Sequence, residues 1–269
     1  MGASKEIQFE RNGFWQRLTS MLKVDFFRMF TMPFVYIMLG ICFVMPILIL
    51  VMTTMMDGMT TIDRTTGLET TIEGFDNVWQ SISALSSEGM MSMDLTGMCN
   101  INMLYFFIAV LVGLFVAADF RSGYAKNLFT VRAQKGDYVI SKTLVCFVGG
   151  ALMLLAFFLG AMLGGKLSGL PFETEATAGE IVTCMLSKIL LVAVFVPIFL
   201  AVSVAAKQKS WLSIVGSLCV GMLLFTMVPM ITPLDASLMN FVLCLAGGAL
   251  FSVGLGAVST VILKKTSLV

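Results

Sequence analysis

Long runs without charged side chains determine what this sequence can fold into. The first, Met29 to Met56, contains 28 residues, whereas about 20 apolar residues suffice to cross the hydrocarbon core of a bilayer. Five further runs follow, and Lys188 interrupts one of them, the fourth span of the chain. Together they predict spans at about 33–55, 95–118, 143–165, 181–206, 210–234 and 236–263. Only 12% of the residues are charged, against about 25% in soluble domains. The sequence therefore predicts an all-α membrane protein in which residues 1–269 form a single transmembrane domain.

The distribution of basic residues orients the predicted bundle. With both termini in the cytoplasm, 14 Lys and Arg residues fall on the inner side and three on the outer side, while 11 acidic residues fall outside and five inside. Cytoplasmic loops of membrane proteins carry an excess of Lys and Arg. We therefore expect six transmembrane helices in a multi-pass protein of the cell membrane. The net charge of +1 gives no indication of a nucleic-acid partner.

An amphipathic helix is predicted over residues 14–31, ahead of the first span. Its apolar side chains recur at helical spacing and include Phe14, Leu18, Met21, Leu22 and Phe26. Charged side chains, mostly basic, fall between them, so a helix with an apolar and a basic face would suit the inner membrane surface. A cleaved signal peptide is the alternative, but the apolar run behind is too long and no small-residue cleavage site follows.

The predicted outer loop, residues 57–94, carries seven acidic residues and one basic residue. Within it Phe75, Trp79 and Ile82 share one helical face. We expect a short helix on the outer membrane interface, with Trp79 at the depth of the lipid headgroups.

The residues that chemistry would require are missing from the spans. The chain has no His, which excludes His-based catalytic triads and proton relays. Lys188 is placed at the outer end of a span, where its ammonium could reach the headgroups. Ion-coupled transporters usually need a charged or polar group near the centre of a span. No charged residue falls at the predicted centre of a span in this sequence. We therefore expect neither an enzyme nor a cofactor in this chain, and we expect any transport to draw its energy from elsewhere.

One motif in the spans is interpreted as a chance match and another as a packing motif. Residues 160–166 fit the G-x-x-x-x-G-K phosphate-loop pattern, but Leu167 follows where Ser or Thr would bind magnesium, and no strand precedes. Gly160 and Gly164 form a G-x-x-x-G pair that lets helices approach closely, within this chain rather than in a dimer seam. Methionines cluster at the outer ends of spans one and two; they suit an adaptable apolar surface, with a cuprous copper site as the alternative.

A charged segment, residues 119–142, separates two of the apolar runs. It holds five basic residues and two acidic ones. Residues 122–131 can form a short helix with polar side chains on one side, and we expect Gly136 to end the helical stretch before Lys142 opens the third span. A basic loop that only sets the topology is the alternative.

The motif in this segment resembles that of the ABC type-2 exporter permeases. The pattern is an acidic residue, R-S-G-x-x-K-N-L, a basic residue and a Lys that opens the next span, here Asp119, 121–123, 126–128, Arg132 and Lys142. The amphipathic helix resembles the elbow helix of that family, and six spans with both ends inside match it too. The long first outer loop resembles the bacterial branch that exports antimicrobial or amphipathic peptides and confers lantibiotic immunity.

The resemblance implies a mechanism. The segment would be a coupling helix that docks on a separate ABC ATPase, through Arg121, Ser122, Gly123, Lys126, Asn127, Leu128, Phe129 and Arg132. Two ATPase subunits, which hold the ATP and magnesium, and two permeases, identical or different, would form the exporter of a peptide or lipid-like substrate from the bacterial cytoplasmic membrane. The alternative function is a non-transporting receptor or immunity protein that binds its ligand through the outer loop.

Overall fold

The computed structural model describes residues 13–62, 69–71, 74–83, 100–131, 134–206, 209–225 and 231–265. Its helices are α1 (Phe14–Thr31), α2 (Pro33–Met56), α3 (Leu104–Arg121), α4 (Tyr124–Val131), α5 (Lys135–Ser168), α6 (Ala178–Ala206), α7 (Ser210–Phe225) and α8 (Leu238–Lys265). A hairpin of β1 (Thr60–Ile62) and β2 (Glu69–Thr71) pairs antiparallel, with Thr60 opposite Thr71. The hairpin lies in the loop that the sequence predicted only as polar.

Five of the described helices, α2, α3, α5, α6 and α8, are long and apolar enough to cross a membrane. This confirms the predicted helical fold with several spans. The helix α7 has 16 residues and borders residues outside the described ranges, so the sixth span stays a prediction. The helices α3 and α6 form the centre of the bundle: 67% of the most apolar stretch of α6 is buried, compared with 11% for α8.

The helix α5 begins earlier than the sequence indicated. It starts at Lys135, and Gly136 lies in its first turn, so the expectation that Gly136 ends the helical stretch is wrong. Lys142 consequently lies two turns inside α5 and is fully buried, instead of opening a span at the membrane surface. The helix α4 ends at Val131 and α5 begins at Lys135; residues 132 and 133 lie outside the described ranges.

Two glycines bring α2 and α5 into backbone contact. A Cβ on Gly160 would overlap the carbonyl oxygen of Phe43, and a Cβ on Gly164 would lie 2.8 Å from the Cα of Ile47. Only glycine permits this distance between two helices. The predicted packing role of this pair within one chain is confirmed, and we call this contact the glycine seam.

The predicted outer interfacial helix is wrong in the described part of the loop. Residues 78–81 form one turn of 3-10 helix, and the side chains of Phe75 and Ile82 are buried in the protein core. The indole nitrogen of Trp79 donates a hydrogen bond to the Phe172 carbonyl at 2.9 Å. The segment therefore covers the end of the bundle, because its apolar side chains find partners in the protein rather than in lipid.

The helix α1 forms over the predicted residues, but three of its four charged side chains face the protein. The five predicted apolar positions differ in environment: Leu18 and Met21 are buried, Leu22 and Phe26 are partly buried, and Phe14 is exposed. Trp15 and Phe27 are the more exposed apolar side chains. The carboxylate of Asp25 is fully buried between Met21 and Met29. Arg17 and Arg28 pair with carboxylates of the bundle. The expectation that they belong to a basic face turned away from the protein is therefore wrong.

Candidate functional site

A buried cluster of charged side chains joins α1, α3 and α5 at the end of the bundle next to α4, here called the α4 end. The ammonium of Lys142 lies 2.7 Å from Asp119 Oδ2 and 2.8 Å from Asp25 Oδ1. None of these three side chains is exposed. A buried charge is tolerated only when it is paired and hydrogen-bonded, so the three helices are held in one arrangement by this contact.

Hydrogen bonds complete the shell of both carboxylates. The Tyr138 hydroxyl donates to Asp119 at 2.9 Å, and the Ser141 hydroxyl donates to Asp25 at 2.6 Å. The guanidinium of Arg28 donates to the other Asp119 oxygen at 2.6 Å. Each carboxylate therefore receives a cation and a neutral donor, which is the condition for a stable buried ion pair.

A third pair extends the cluster towards the surface. Arg17 donates to Asp137 Oδ2 at 2.9 Å and also to the side chain of Gln134. The cluster thus contains three cations (Arg17, Arg28, Lys142) and three carboxylates (Asp25, Asp119, Asp137), and it is neutral as a whole. We call these six residues the charge cluster.

The local sequence explains why the helices present these groups. On α5 the residues 137, 138, 141 and 142 combine spacings of three, four and five, so they share one face of the helix. On α1 the buried positions are Leu18, Met21, Asp25 and Met29, and Asp25 occupies an apolar register. The acidic Asp25 in an apolar register was the sequence signal that could have identified the charge cluster. Its partner Lys142 lies in a buried part of α5.

The helix α4 carries four of the eight residues that the sequence assigned to coupling, residues 126–129. Of the eight, Arg121, Ser122, Lys126 and Asn127 are exposed. Gly123 has φ 72° and forms the turn between α3 and α4, a conformation that favours glycine. Leu128 and Phe129 are only partly buried and pack against the core of this chain. Arg132 lies outside the described residues.

Aromatic contacts connect α4 to the charge cluster. The Arg28 guanidinium lies 4.1 Å from the centroid of the Tyr124 ring, a distance typical of a cation–π interaction. The Phe129 ring meets Tyr138 edge-on at 5.3 Å between centroids. Burial and the negative charges of Asp25 and Asp119 raise the pKa of the Tyr124 hydroxyl above its ordinary value, so this hydroxyl stays protonated at neutral pH. A displacement of α4 therefore acts directly on residues that contact the charge cluster.

A second buried cation lies at the opposite end of the bundle. Lys188 on α6 donates to Asn102 Oδ1 at 3.1 Å and to Thr232 Oγ1 at 3.0 Å. Its backbone carbonyl accepts a hydrogen bond from the Tyr105 hydroxyl. The expectation that Lys188 reaches the membrane surface is wrong, because its side chain is fully buried. Neutral oxygens from two other segments replace the headgroups as its partners.

Among the described residues, no cluster of three or more His, Cys, Asp or Glu side chains is placed to hold a metal ion. The methionines that the sequence suggested for copper lie partly outside the described ranges, so that alternative stays untested.

Comparison with known proteins relates the chain to a transporter family. The model of the family described as ABC-2 family transporter protein matches residues 21–223. This range includes most of α1, all of α2 to α6, the charge cluster apart from Arg17, and most of α7. Neither a curated protein nor a solved structure matches the chain.

Proposed function

The chain belongs to the ABC-2 family of transporter proteins, and from this premise we propose that it is the permease subunit of an ATP-driven exporter in the bacterial cytoplasmic membrane. It has six spans with both ends in the cytoplasm, and α1 is its elbow helix. The ATP and magnesium are held by a separate ABC ATPase dimer, and a second permease, identical or different, completes the transporter. The substrate is an amphipathic peptide or a lipid-like molecule.

The contact between α4 and the charge cluster is the observation that supports this proposal best. A coupling helix needs an exposed face for its partner and a firm attachment to the spans. The helix α4 has both: Lys126 and Asn127 face outwards, while Tyr124 and Phe129 contact Arg28 and Tyr138. Movement of the ATPase against α4 would be transmitted to α1, α3 and α5 together, because the charge cluster joins these three helices.

This arrangement refines the docking surface. Leu128 and Phe129 pack against the permease itself, so we propose that the ATPase is recognised through the exposed polar side, with Arg121 and Lys126 meeting acidic groups of the ATPase. Basic side chains at the rim of an interface act mainly on recognition and on the association rate.

The decisive experiment captures the ATPase and then breaks its docking. A tagged version of the chain is purified from native membranes, and co-purifying ATPase subunits are identified by mass spectrometry. The double substitution Arg121→Glu/Lys126→Glu should then lower ATPase recovery and transporter-dependent ATP hydrolysis at least tenfold, because it places like charges across the interface. The matched control is Lys23→Glu, since Lys23 is an exposed lysine on α1.

Two results would contradict the proposal. If no ATPase co-purifies with the chain in a detergent that preserves other ABC complexes, the receptor or immunity function becomes the better interpretation. If an ATPase is captured equally well by the double variant and by the Lys23→Glu control, α4 does not dock through its basic side.

A further inference from the structure

An open crevice of about 400 Å³ separates the first half of α5 from the second half of α8. Its walls come from residues 136–144 on α5 and 252–260 on α8, and two of the lining residues are glycines, Gly136 and Gly256. A Cβ on Gly136 would meet nothing within 4 Å. The volume falls in the range of about 300–1,000 Å³ that is usual for sites of small organic ligands.

The crevice offers hydrocarbon contacts and no free hydrogen-bond donor among the hydroxyls of its wall. Thr143 donates to the Val139 carbonyl at 2.9 Å, and Thr260 donates to the Gly256 carbonyl at 2.8 Å. Ser252 donates to a carbonyl of α6 at 3.2 Å. Since these hydroxyls are already engaged, the crevice suits a saturated chain rather than a polar group.

Lysines surround the end of the crevice that lies next to α4. On α8 the lining residues Val253, Ala257 and Thr260 are followed at helical spacing by Lys264, which is exposed on the same face. Lys135 on α5 donates to the Leu263 carbonyl at 2.6 Å, and an ammonium has further donors for another ligand. The neighbouring carboxylate, Asp137, is paired with Arg17 and does not neutralise these lysines.

We propose that this crevice binds an anionic phospholipid of the cytoplasmic leaflet. One acyl chain occupies the space between α5 and α8, and the phosphate lies against Lys264 and Lys135. An apolar crevice with lysines at its inner end matches both parts of such a lipid, as in other basic sites between transmembrane helices. The choice of leaflet rests on the proposed orientation of the chain, whereas the binding itself does not depend on an ATPase partner.

Native mass spectrometry of the purified full-length chain tests the inference. The protein is titrated with phosphatidylglycerol and, separately, with phosphatidylcholine that has the same acyl chains. We expect one tight phosphatidylglycerol adduct, and a preference over phosphatidylcholine of about fivefold for each lysine that contacts the phosphate. The variant Lys264→Gln should lower that preference about fivefold.

A pair of glycine substitutions on α8 supplies the steric control. Gly256→Leu places a side chain in the crevice, where its Cβ lies 3.9 Å from Val139, whereas Gly254→Leu points into open space outside the crevice. We expect Gly256→Leu to weaken phosphatidylglycerol binding at least tenfold and Gly254→Leu to leave it unchanged. If Gly256→Leu does not fold, Gly136→Leu fills the crevice from α5, where no atom opposes it.

Three outcomes would overturn the inference. Equal binding of the two lipids would remove the role of the lysines. Equal effects of Gly256→Leu and Gly254→Leu would remove the crevice as the site. A shift from dimer to monomer in Gly256→Leu, with lipid binding unchanged, would assign the crevice to a second copy of this chain. None of these results bears on capture of the ATPase, so the two proposals fail independently.

Discussion

Lys142 and Lys188 are both withdrawn from solvent, but their surroundings differ. The ammonium of Lys142 lies between the carboxylates of Asp25 and Asp119. Lys188 donates to an amide oxygen and a hydroxyl, and the described residues place no carboxylate within ion-pair distance of it. Removing one member of a buried ion pair leaves an uncompensated charge, whereas removing a cation from neutral partners leaves only neutral groups unpaired. The stability of the α4 end therefore depends on charge pairing, whereas among the described residues the surroundings of Lys188 are held by neutral hydrogen bonds.

The largest effect is expected from Lys142→Met. Two buried carboxylates lose their shared cation, and breaking a buried pair in this way costs about 3–5 kcal/mol of the free energy of unfolding. The midpoint of thermal unfolding of the purified protein in detergent should fall accordingly. Adding Asp25→Asn to Lys142→Met should recover part of the loss, because one of the stranded charges is then removed. If Lys142→Met is about as stable as the unsubstituted protein, the charge cluster does not contribute this free energy of unfolding.

A smaller and local effect is expected from Tyr124→Leu. The substitution removes the aromatic ring that faces the Arg28 guanidinium, whose distance to the ring centroid is 4.1 Å. Such a cation–π interaction contributes about 0.5–2 kcal/mol. The amides of α4 should exchange with deuterium faster, while those of α3 and α5 keep their protection. Tyr36→Leu on α2 is the control, since Tyr36 is exposed and its hydroxyl donates to the Phe30 carbonyl on α1 rather than to α4. Equal exchange in both variants would mean that α4 is held by other contacts.

The smallest effect is expected from Lys188→Met. An apolar side chain of similar length replaces a cation that has no described carboxylate partner, so the net change should stay within about 1 kcal/mol. The same thermal unfolding measurement compares it with Lys142→Met. A loss as large as that of Lys142→Met would contradict the difference between the two ends and would indicate a carboxylate partner for Lys188.

The sequence predicted what depends on periodicity and overall polarity. Uncharged runs predicted the multi-span helical fold. The first span was predicted to begin at about residue 33, and Pro33 lies in the first turn of α2. The spacing of Gly160 and Gly164 predicted a close helix approach, which the structure shows between α5 and α2. These features follow from local rules, namely the length of a span, the fixed φ of proline and the small volume of glycine.

What the sequence did not predict depends on pairing between distant segments. Asp25 and Lys142 are separated by 117 positions, and nothing in the neighbourhood of either residue indicates the other. Lys188 was placed at the membrane surface because Asn102 and Thr232, its partners, belong to two other regions of the chain. Phe75 and Ile82 have the spacing of an interfacial helix, yet partners in the bundle bury them. Tertiary contacts overrode the local pattern in each of these cases.

The glycine seam has a mechanical consequence. Where backbone meets backbone, as at Gly164 and Ile47, there is no layer of flexible side chains to absorb a longitudinal slip. We expect α2 and α5 to travel as a single strut, with α1 and α3 fastened to α5 by the charge cluster. We expect relative displacement at the boundary between α5 and α8, which an open crevice already separates. A stroke delivered at α4 would open or close that boundary instead of bending the strut.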